Sequence, residues 1–312
     1  QLLYGYERID DTILEALFVL AEERGVLKKM LAMQQGVFVN RSEGRAVAHT
    51  ALRPGDRENL LPEQEEIAEG AGEELDRCRF FIEEWEEQGY TDLIVVGIGG
   101  SELGPRALAR ALEAYATPGK GLHFISTLDP DHCAAVLEQV DLTKTLCVVI
   151  SKSGATMETA SNELLLRRAY ERAALLPQDH LIAVTVSGSS MDHTEAYREI
   201  LYFWPAIGGR FSTTSVVGGV VIGWLAGMDT FTSFLEGAAA MDKCACLPGK
   251  NNIPLLGALL GIWNHNFLRS PTQVIVPYSY ALEHFVAHVQ QCDMESNGKR
   301  VDAKGEVLAH SS

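Results

Sequence analysis

Leu93-Ile-Val-Val96 runs into Gly97-Ile-Gly-Gly-Ser-Glu-Leu-Gly104 and then Pro105, where helical spacing begins and lasts to Tyr115. A short apolar run that stops on glycines and turns into a helix reads as one step of a parallel sheet. The step repeats along the chain. Phe124-Ile-Ser-Thr127 precedes a helix from Pro130 to Val140, and Leu146-Cys-Val-Val-Ile150 precedes one from Thr156 to Ala173. Leu181-Ile-Ala-Val-Thr-Val186 supplies a fourth strand. Strands that are apolar throughout must be covered on both faces. Their alternation with helices predicts an α/β fold built on a doubly wound parallel sheet.

The flanks read as helical. Asp11 to Glu23 repeats Ile13, Leu14, Leu17, Phe18, Leu20 and Ala21 on one face. Leu61 to Gln88 is Glu-rich, with Leu75, Cys78, Phe81, Ile82 and Trp85 on one side and Gly89 as its stop. Val216 to Met228 is the longest apolar stretch, diluted by glycine and short of the ~18 residues of a membrane span. It is expected to be a core helix. Phe231 to Lys243 and Ile253 to Phe267 are further helices. Thr272-Gln-Val-Ile-Val276 is expected to be a strand, followed by a helix from Ala281 to about Glu295. One strand and its helix cannot make a sheet, so this reads as the opening of a second domain that is incomplete at Ser312. The expected division is an N-terminal helical region over 1–75, a first domain over 76–230, and linking helices with the start of a second domain over 231–312.

The formal net charge is -16, and no Lys/Arg cluster marks a nucleic-acid surface. The acidic balance also disfavours an anionic membrane surface. A phosphate site in such a chain must be built from local dipoles, because the global field opposes it. Cys78, Cys133, Cys147, Cys244, Cys246 and Cys292 contain no Cys-x-x-Cys pair. Scattered thiols and the lack of a charged-then-apolar leader point to a reduced, cytoplasmic protein. Cys244-Ala-Cys246 has no second pair in register, so no metal is expected there.

Two loops have the makings of ligand sites. The glycines of Gly97-Ile-Gly99-Gly100-Ser101-Glu102 permit close backbone approach, and free N–H groups at a helix start attract anions. A dinucleotide fingerprint would place glycine where Glu102 stands, and a carboxylate there would face a pyrophosphate. An ordinary strand-to-helix turn accounts for this loop equally well. Ser151-Lys152-Ser153-Gly154-Ala155-Thr156 opens the next helix. One hydroxyl suffices for a helix cap, whereas Ser151, Ser153 and Thr156 cluster here, as a phosphate cradle requires. Both loops lie at the carboxyl edge of the sheet, where open α/β sheets bind ligands.

Gly208-Gly209-Arg210 suits holding a guanidinium against a ligand oxygen, although a surface turn explains it too. Gln291-Cys-Asp293-Met-Glu295-Ser-Asn-Gly298 closes a helix with acidic residues, against the helix dipole. Such a broken local preference can mark a site, although a solvated helix end is the commoner cause.

Together these segments resemble the phosphoglucose isomerase family in its own motif order. The resemblance rests on Gly97-Ile-Gly-Gly-Ser-Glu-Leu-Gly-Pro105, Ser151-Lys-Ser-Gly-Ala-Thr-Met-Glu-Thr159, Gly208-Gly-Arg-Phe-Ser212 and Gln291-Cys-Asp-Met-Glu-Ser-Asn-Gly-Lys299. Asn252 to Asn264 and Glu43 to Arg53 extend it. It implies two sugar-isomerase (SIS) domains of flavodoxin-like type, a homodimer, no cofactor, and exchange of D-glucose 6-phosphate with D-fructose 6-phosphate through a cis-enediol. That activity belongs to glycolysis and gluconeogenesis. By motif match, Gly100 and Ser101 would touch the sugar phosphate, and Ser151, Lys152, Ser153, Gly154, Ala155 and Thr156 would hold the phosphate. Gln291 would line the site. Arg210 would stabilise the charged intermediate, and Glu295 would be the general base.

The residue types suit that chemistry. One carboxylate can carry a proton between adjacent carbons, and an arginine near the developing oxyanion lowers the barrier without a metal. The family's Gly-Thr-Asn-Gly-Gln-His segment and C-terminal lysine, credited with ring opening, are absent from this sequence. His284 and His288 lie four apart but lack a third ligand and read as ordinary helix residues. The alternatives are a non-catalytic SIS-type sugar-phosphate regulator, an isomerase of a different sugar, and a nucleotide-binding module. A regulator would need no base, and Glu102 weakens the last.

Overall fold

The computed structural model describes residues 2–37, 44–55, 59–302 and 305–308. The helices are α1 Asp11–Glu23, α2 Val26–Gln34, α3 Pro62–Glu87, α4 Leu103–Leu112, α5 Pro130–Leu137, α6 Met157–Arg172, α7 Val216–Ala226, α8 Met228–Cys244, α9 Ile253–Ile262 and α10 Phe285–Asn297. The strands are β1 Asp92–Val96, β2 Gly121–Ile125, β3 Thr145–Ile150, β4 Leu181–Thr185 and β5 Glu199–Tyr202. They form one sheet in the order β2-β1-β3-β4-β5, and every pairing is parallel. This is the flavodoxin-like order, whose direction of winding reverses between β1 and β3.

The strand residues alternate between two cores. Leu93, Val95, Leu146, Val148, Ile182 and Val184 face α3, α7 and α8, where Trp85, Val220, Trp224 and Phe231 pack. Ile94, Val96, Cys147, Val149, Leu181 and Ala183 face α5 and α6, against Cys133, Leu166 and Tyr170. Both faces are covered, which is why β3 and β4 are buried at every position. α7 is apolar on all sides and buried from Val216 to Leu225, as expected of a core helix. Among the described residues no helix is long and apolar enough to cross a membrane.

Several elements differ from the sequence reading. β5 has only four residues and begins on Glu199, too short and too polar at its start to stand out. α2, a nine-residue helix that buries none of its residues, was not singled out from the sequence. β2 begins at Gly121 and ends at Ile125, because it follows the register of β1 from Asp92. Thr272 to Val276 is not a strand. No described strand lies beside it, and Val274 and Val276 stay exposed. Apolar, β-branched sequence without a ladder partner does not make a strand. α10 begins later than expected, at Phe285, after a short turn over Tyr280–Leu282. α1 is capped by Asp10, and its Leu14 and Leu17 pack on Leu256, Leu259 and Leu260 of α9.

Candidate active site

The loops after β1 and β3 leave the sheet on either side of the winding reversal. Between them lies a cleft of about 550 Å³. Ile98, Gly99, Gly100 and Ser101 line it from the first loop, and Lys152, Ser153 and Thr156 from the second. Gly209 and Arg210 close a third side, Gln291 and Glu295 of α10 a fourth, and Val186 and Pro205 complete the wall. The four segments singled out in the sequence therefore meet in one place, although up to about 200 residues separate them in the chain.

Gly100 explains how the loops come so close. A Cβ there would overlap the carbonyl of Gly209 and lie 2.5 Å from the amide nitrogen of Arg210. Only glycine allows the two backbones to touch. Ser212 then ties them, its hydroxyl donating to the carbonyls of Gly209 at 2.8 Å and Gly100 at 3.3 Å. Glu102, which stands where a dinucleotide fingerprint would have glycine, does not line the cleft. The residue is 4% exposed, its carboxylate is paired with Arg106, and burial raises its pKa despite the opposing pull of that arginine.

The second loop is shaped from within. Ser151 is buried; its hydroxyl accepts from the Gly154 amide at 3.1 Å and contacts the Thr156 hydroxyl at 3.1 Å. Ser153 accepts from the Ala155 amide at 3.2 Å. Gly154 has φ 68°, with Ser190 and Met191 packed where a Cβ would stand. Thr156 occupies the N-cap of α6 without a side-chain cap bond, and it lines the cleft together with Ser153. Ser151, Gly154 and Ala155 thus fold the loop, while Lys152, Ser153 and Thr156 present it. The ammonium of Lys152 donates to the carbonyls of Pro205 at 2.7 Å and Ile207 at 3.0 Å.

Arg210 and Glu295 form an ion pair at 3.2 Å, and Gln291 donates to the other carboxylate oxygen at 2.8 Å. Glu295 is therefore held on both oxygens and remains half exposed toward the cleft. The helical spacing of α10 places Gln291 beside Glu295, and likewise Cys292 beside Ser296. Ser296 accepts from Nε of Arg210 at 3.0 Å, while its own hydroxyl donates to the Cys292 carbonyl. Sequence reading assigned Ser296 no role. It also missed His49, which stacks on Phe211 with ring centroids 4.8 Å apart. Burial, with the charges of Arg53 and Arg210, pushes the pKa of His49 down to about 4. Of the resembling segment that contains His49, Glu43 lies outside the described residues.

No histidine lines the cleft among the described residues. Nor does any group of three or more His, Cys, Asp or Glu residues there suit a metal ion. The thiols of Cys244 and Cys246 take separate partners, the Asn251 carbonyl and the Gln34 side chain. His288 contacts Cys292 rather than His284, and burial lowers its pKa.

The family model for phosphoglucose isomerase matches residues 4–312. The chain belongs to the phosphoglucose isomerase family. It is 49% identical to the glucose-6-phosphate isomerase of Chlamydia felis over 99% of its length and 59% of that protein's. With the enzyme of Chlamydia pneumoniae it shares 48% identity over 99% of this chain and 60% of the relative. The crystal structure of a glucose-6-phosphate isomerase from Chlamydia trachomatis superimposes with a TM-score of 0.94 at 46% identity, covering 99% of this chain and 61% of that one. The chain thus spans about three-fifths of the length of these family members. The flavodoxin-like sheet is the SIS-type fold of the family.

Proposed function

We propose that this cleft interconverts D-glucose 6-phosphate and D-fructose 6-phosphate. One observation carries the reading: a hydroxyl-rich loop at a helix N-terminus and an Arg–Glu–Gln constellation share a single cleft. The hydroxyls of Ser153 and Thr156 and the amides at the start of α6 receive the phosphate, where the helix dipole favours it. Ser101 and the backbone of Gly100 contact the sugar end of the phosphate. The phosphate is remote from the reacting carbons, so its binding energy holds the sugar in register.

Glu295 takes a proton from one carbon of the open-chain sugar and returns it to the neighbouring carbon. Both positions lie within reach of one carboxylate because the intermediate is a cis-enediolate. Arg210, poised against Glu295, moves its charge toward the enediolate oxygen, and Gln291 orients the carboxylate. The chemistry asks for no redox cofactor. Ring opening requires a further acid–base group.

The same reading makes 231–312 the link to a second SIS domain and the protein a cytoplasmic homodimer. It is supported by the exposed apolar side chains of Val274, Val276, Tyr278 and Tyr280, which a further domain would cover. The decisive assay supplies the full-length protein with fructose 6-phosphate and measures glucose 6-phosphate. Turnover supports the isomerase; saturable binding without turnover would establish the sugar-phosphate regulator instead.

A further inference from the structure

The segment that delivers Arg210 to the cleft is neither helix nor strand from Phe203 to Gly208. Its carbonyls therefore lack a regular ladder and must find partners elsewhere. Three consecutive carbonyls are held by two cations from distant parts of the chain. Arg45 donates to Ala206 at 2.7 Å, and Lys152 to Pro205 and Ile207 at 2.7 and 3.0 Å. Lys152 stands one residue before Ser153 in the phosphate loop, and Ile207 stands three residues before Arg210. An ammonium has three donors and no acceptor, and two of these bonds are spent on this one segment. The Arg210 end is closed by local turns, in which the Ile207 amide donates to Trp204 at 2.9 Å and the Phe211 amide to Gly208 at 3.0 Å.

We propose that Lys152 is a positioning residue: its ammonium straps the phosphate loop to the Pro205–Ile207 backbone, so that filling the cradle fixes where Arg210 stands. This deepens the isomerase reading and rests on it for its kinetic consequence. Lys152 then serves the phosphate through its main chain and serves the reaction through two carbonyls. A flexible lysine suits the task, because its ammonium is a compact charge with three rotatable donors that can serve two carbonyls at once. The strap gives a route by which binding at the non-reacting end of the substrate improves the geometry at the reacting end.

Lys152→Met keeps the aliphatic stem and removes the donors. In the full-length protein, kcat should fall by about 10-fold or more, as expected for a displaced charge, while KM and the Kd for inorganic phosphate stay within about 3-fold. A lysine that binds phosphate directly would give the opposite split, with both constants raised about 10-fold or more and kcat retained, and that result overturns the proposal. Hydrogen exchange supplies a readout independent of turnover. In Lys152→Met the Ile207 and Phe211 amides should exchange about 10-fold faster while the β1 and β3 amides are unchanged. Unchanged exchange at Ile207 and Phe211 overturns the strap.

If that variant does not fold, the unsubstituted protein decides the matter. Saturating inorganic phosphate should slow exchange at Ile207 and Phe211 as well as over residues 152–157. Slowing confined to 152–157 refutes the coupling. If the unsubstituted protein binds phosphate but does not isomerise, the functional reading fails while these exchange measurements still test the strap.

Discussion

Gly100→Ala should cripple the reaction while sparing the phosphate cradle. The added Cβ would lie 2.5 Å from the Arg210 amide nitrogen, and closer still to the Gly209 carbonyl, where ordinary contact begins at 3.4 Å. One side of the clash is the turn anchored at the end of β1; the other is the backbone that carries the arginine. Neither is a flexible side-chain tip, so the strain must be relieved by about 1 Å of backbone separation, at a cost of roughly 1–3 kcal/mol. The end of β1 is tied into the centre of the sheet by β2 and β3, so the arginine segment is the part that moves. A displacement of about 1 Å at a charge-stabilising group costs about 100-fold in rate. The hydroxyls of Ser153 and Thr156 stand on a different loop, and the Gly100 and Ser101 backbone stays with β1, so the KM for fructose 6-phosphate should change by less than about 3-fold. Steady-state kinetics with thermal unfolding as a control reads both effects. Wild-type kcat in a protein of unchanged stability would show that Arg210 does not depend on this contact.

Two further perturbations test other parts of the site. Ser153→Ala combined with Thr156→Ala removes the hydroxyls of two cleft-lining residues and should raise KM for fructose 6-phosphate by about 100-fold or more, at about 1.5–3 kcal/mol per lost bond to a charged ligand; an unchanged KM counts against the cradle. His49 titrates near 4 in the fold and at 6.5 when unperturbed. Its folded pKa is depressed, so its contribution to stability is present above pH 6.5 and drains away as pH falls toward 4. Between pH 7 and pH 5 this amounts to about 2 kcal/mol, measurable by urea unfolding. His49→Phe, which keeps an aromatic ring against Phe211, should flatten that part of the pH profile, and an unaltered profile would mean that the imidazole is not kept neutral by the fold.

The fold was legible where burial leaves a simple pattern. β1, β3 and β4 are covered on both faces, so their apolar runs stand out from the polar helices around them. β5 was not legible because a four-residue edge strand starting at Glu199 takes its identity from pairing with β4. The run from Thr272 to Val276 misled for the converse reason: its composition suits a strand, but no strand among the described residues pairs with it. At the candidate site, the glycines and clustered hydroxyls stood out as local motifs, whereas Arg210 and Glu295 were singled out by the family resemblance, because a surface turn and a solvated helix end explain their local sequence too. The partners of Lys152, Ser296 and His49 were not visible. Lys152 reaches across more than 50 residues, Ser296 across 86 and His49 across about 160, and such contacts leave no periodic trace.

The central claim is that Glu295 moves a proton between neighbouring carbons of a sugar 6-phosphate. It is tested most directly in heavy water, with the full-length protein and fructose 6-phosphate, by following deuterium at the reacting carbons by NMR. The wild-type protein should form glucose 6-phosphate and incorporate deuterium there, because a carboxylate half exposed to solvent exchanges its captured proton before returning it. Glu295→Gln should bind the sugar phosphate with nearly unchanged affinity yet neither isomerise it nor incorporate deuterium. Deuterium incorporation by Glu295→Gln at a rate near that of the wild type would contradict the account.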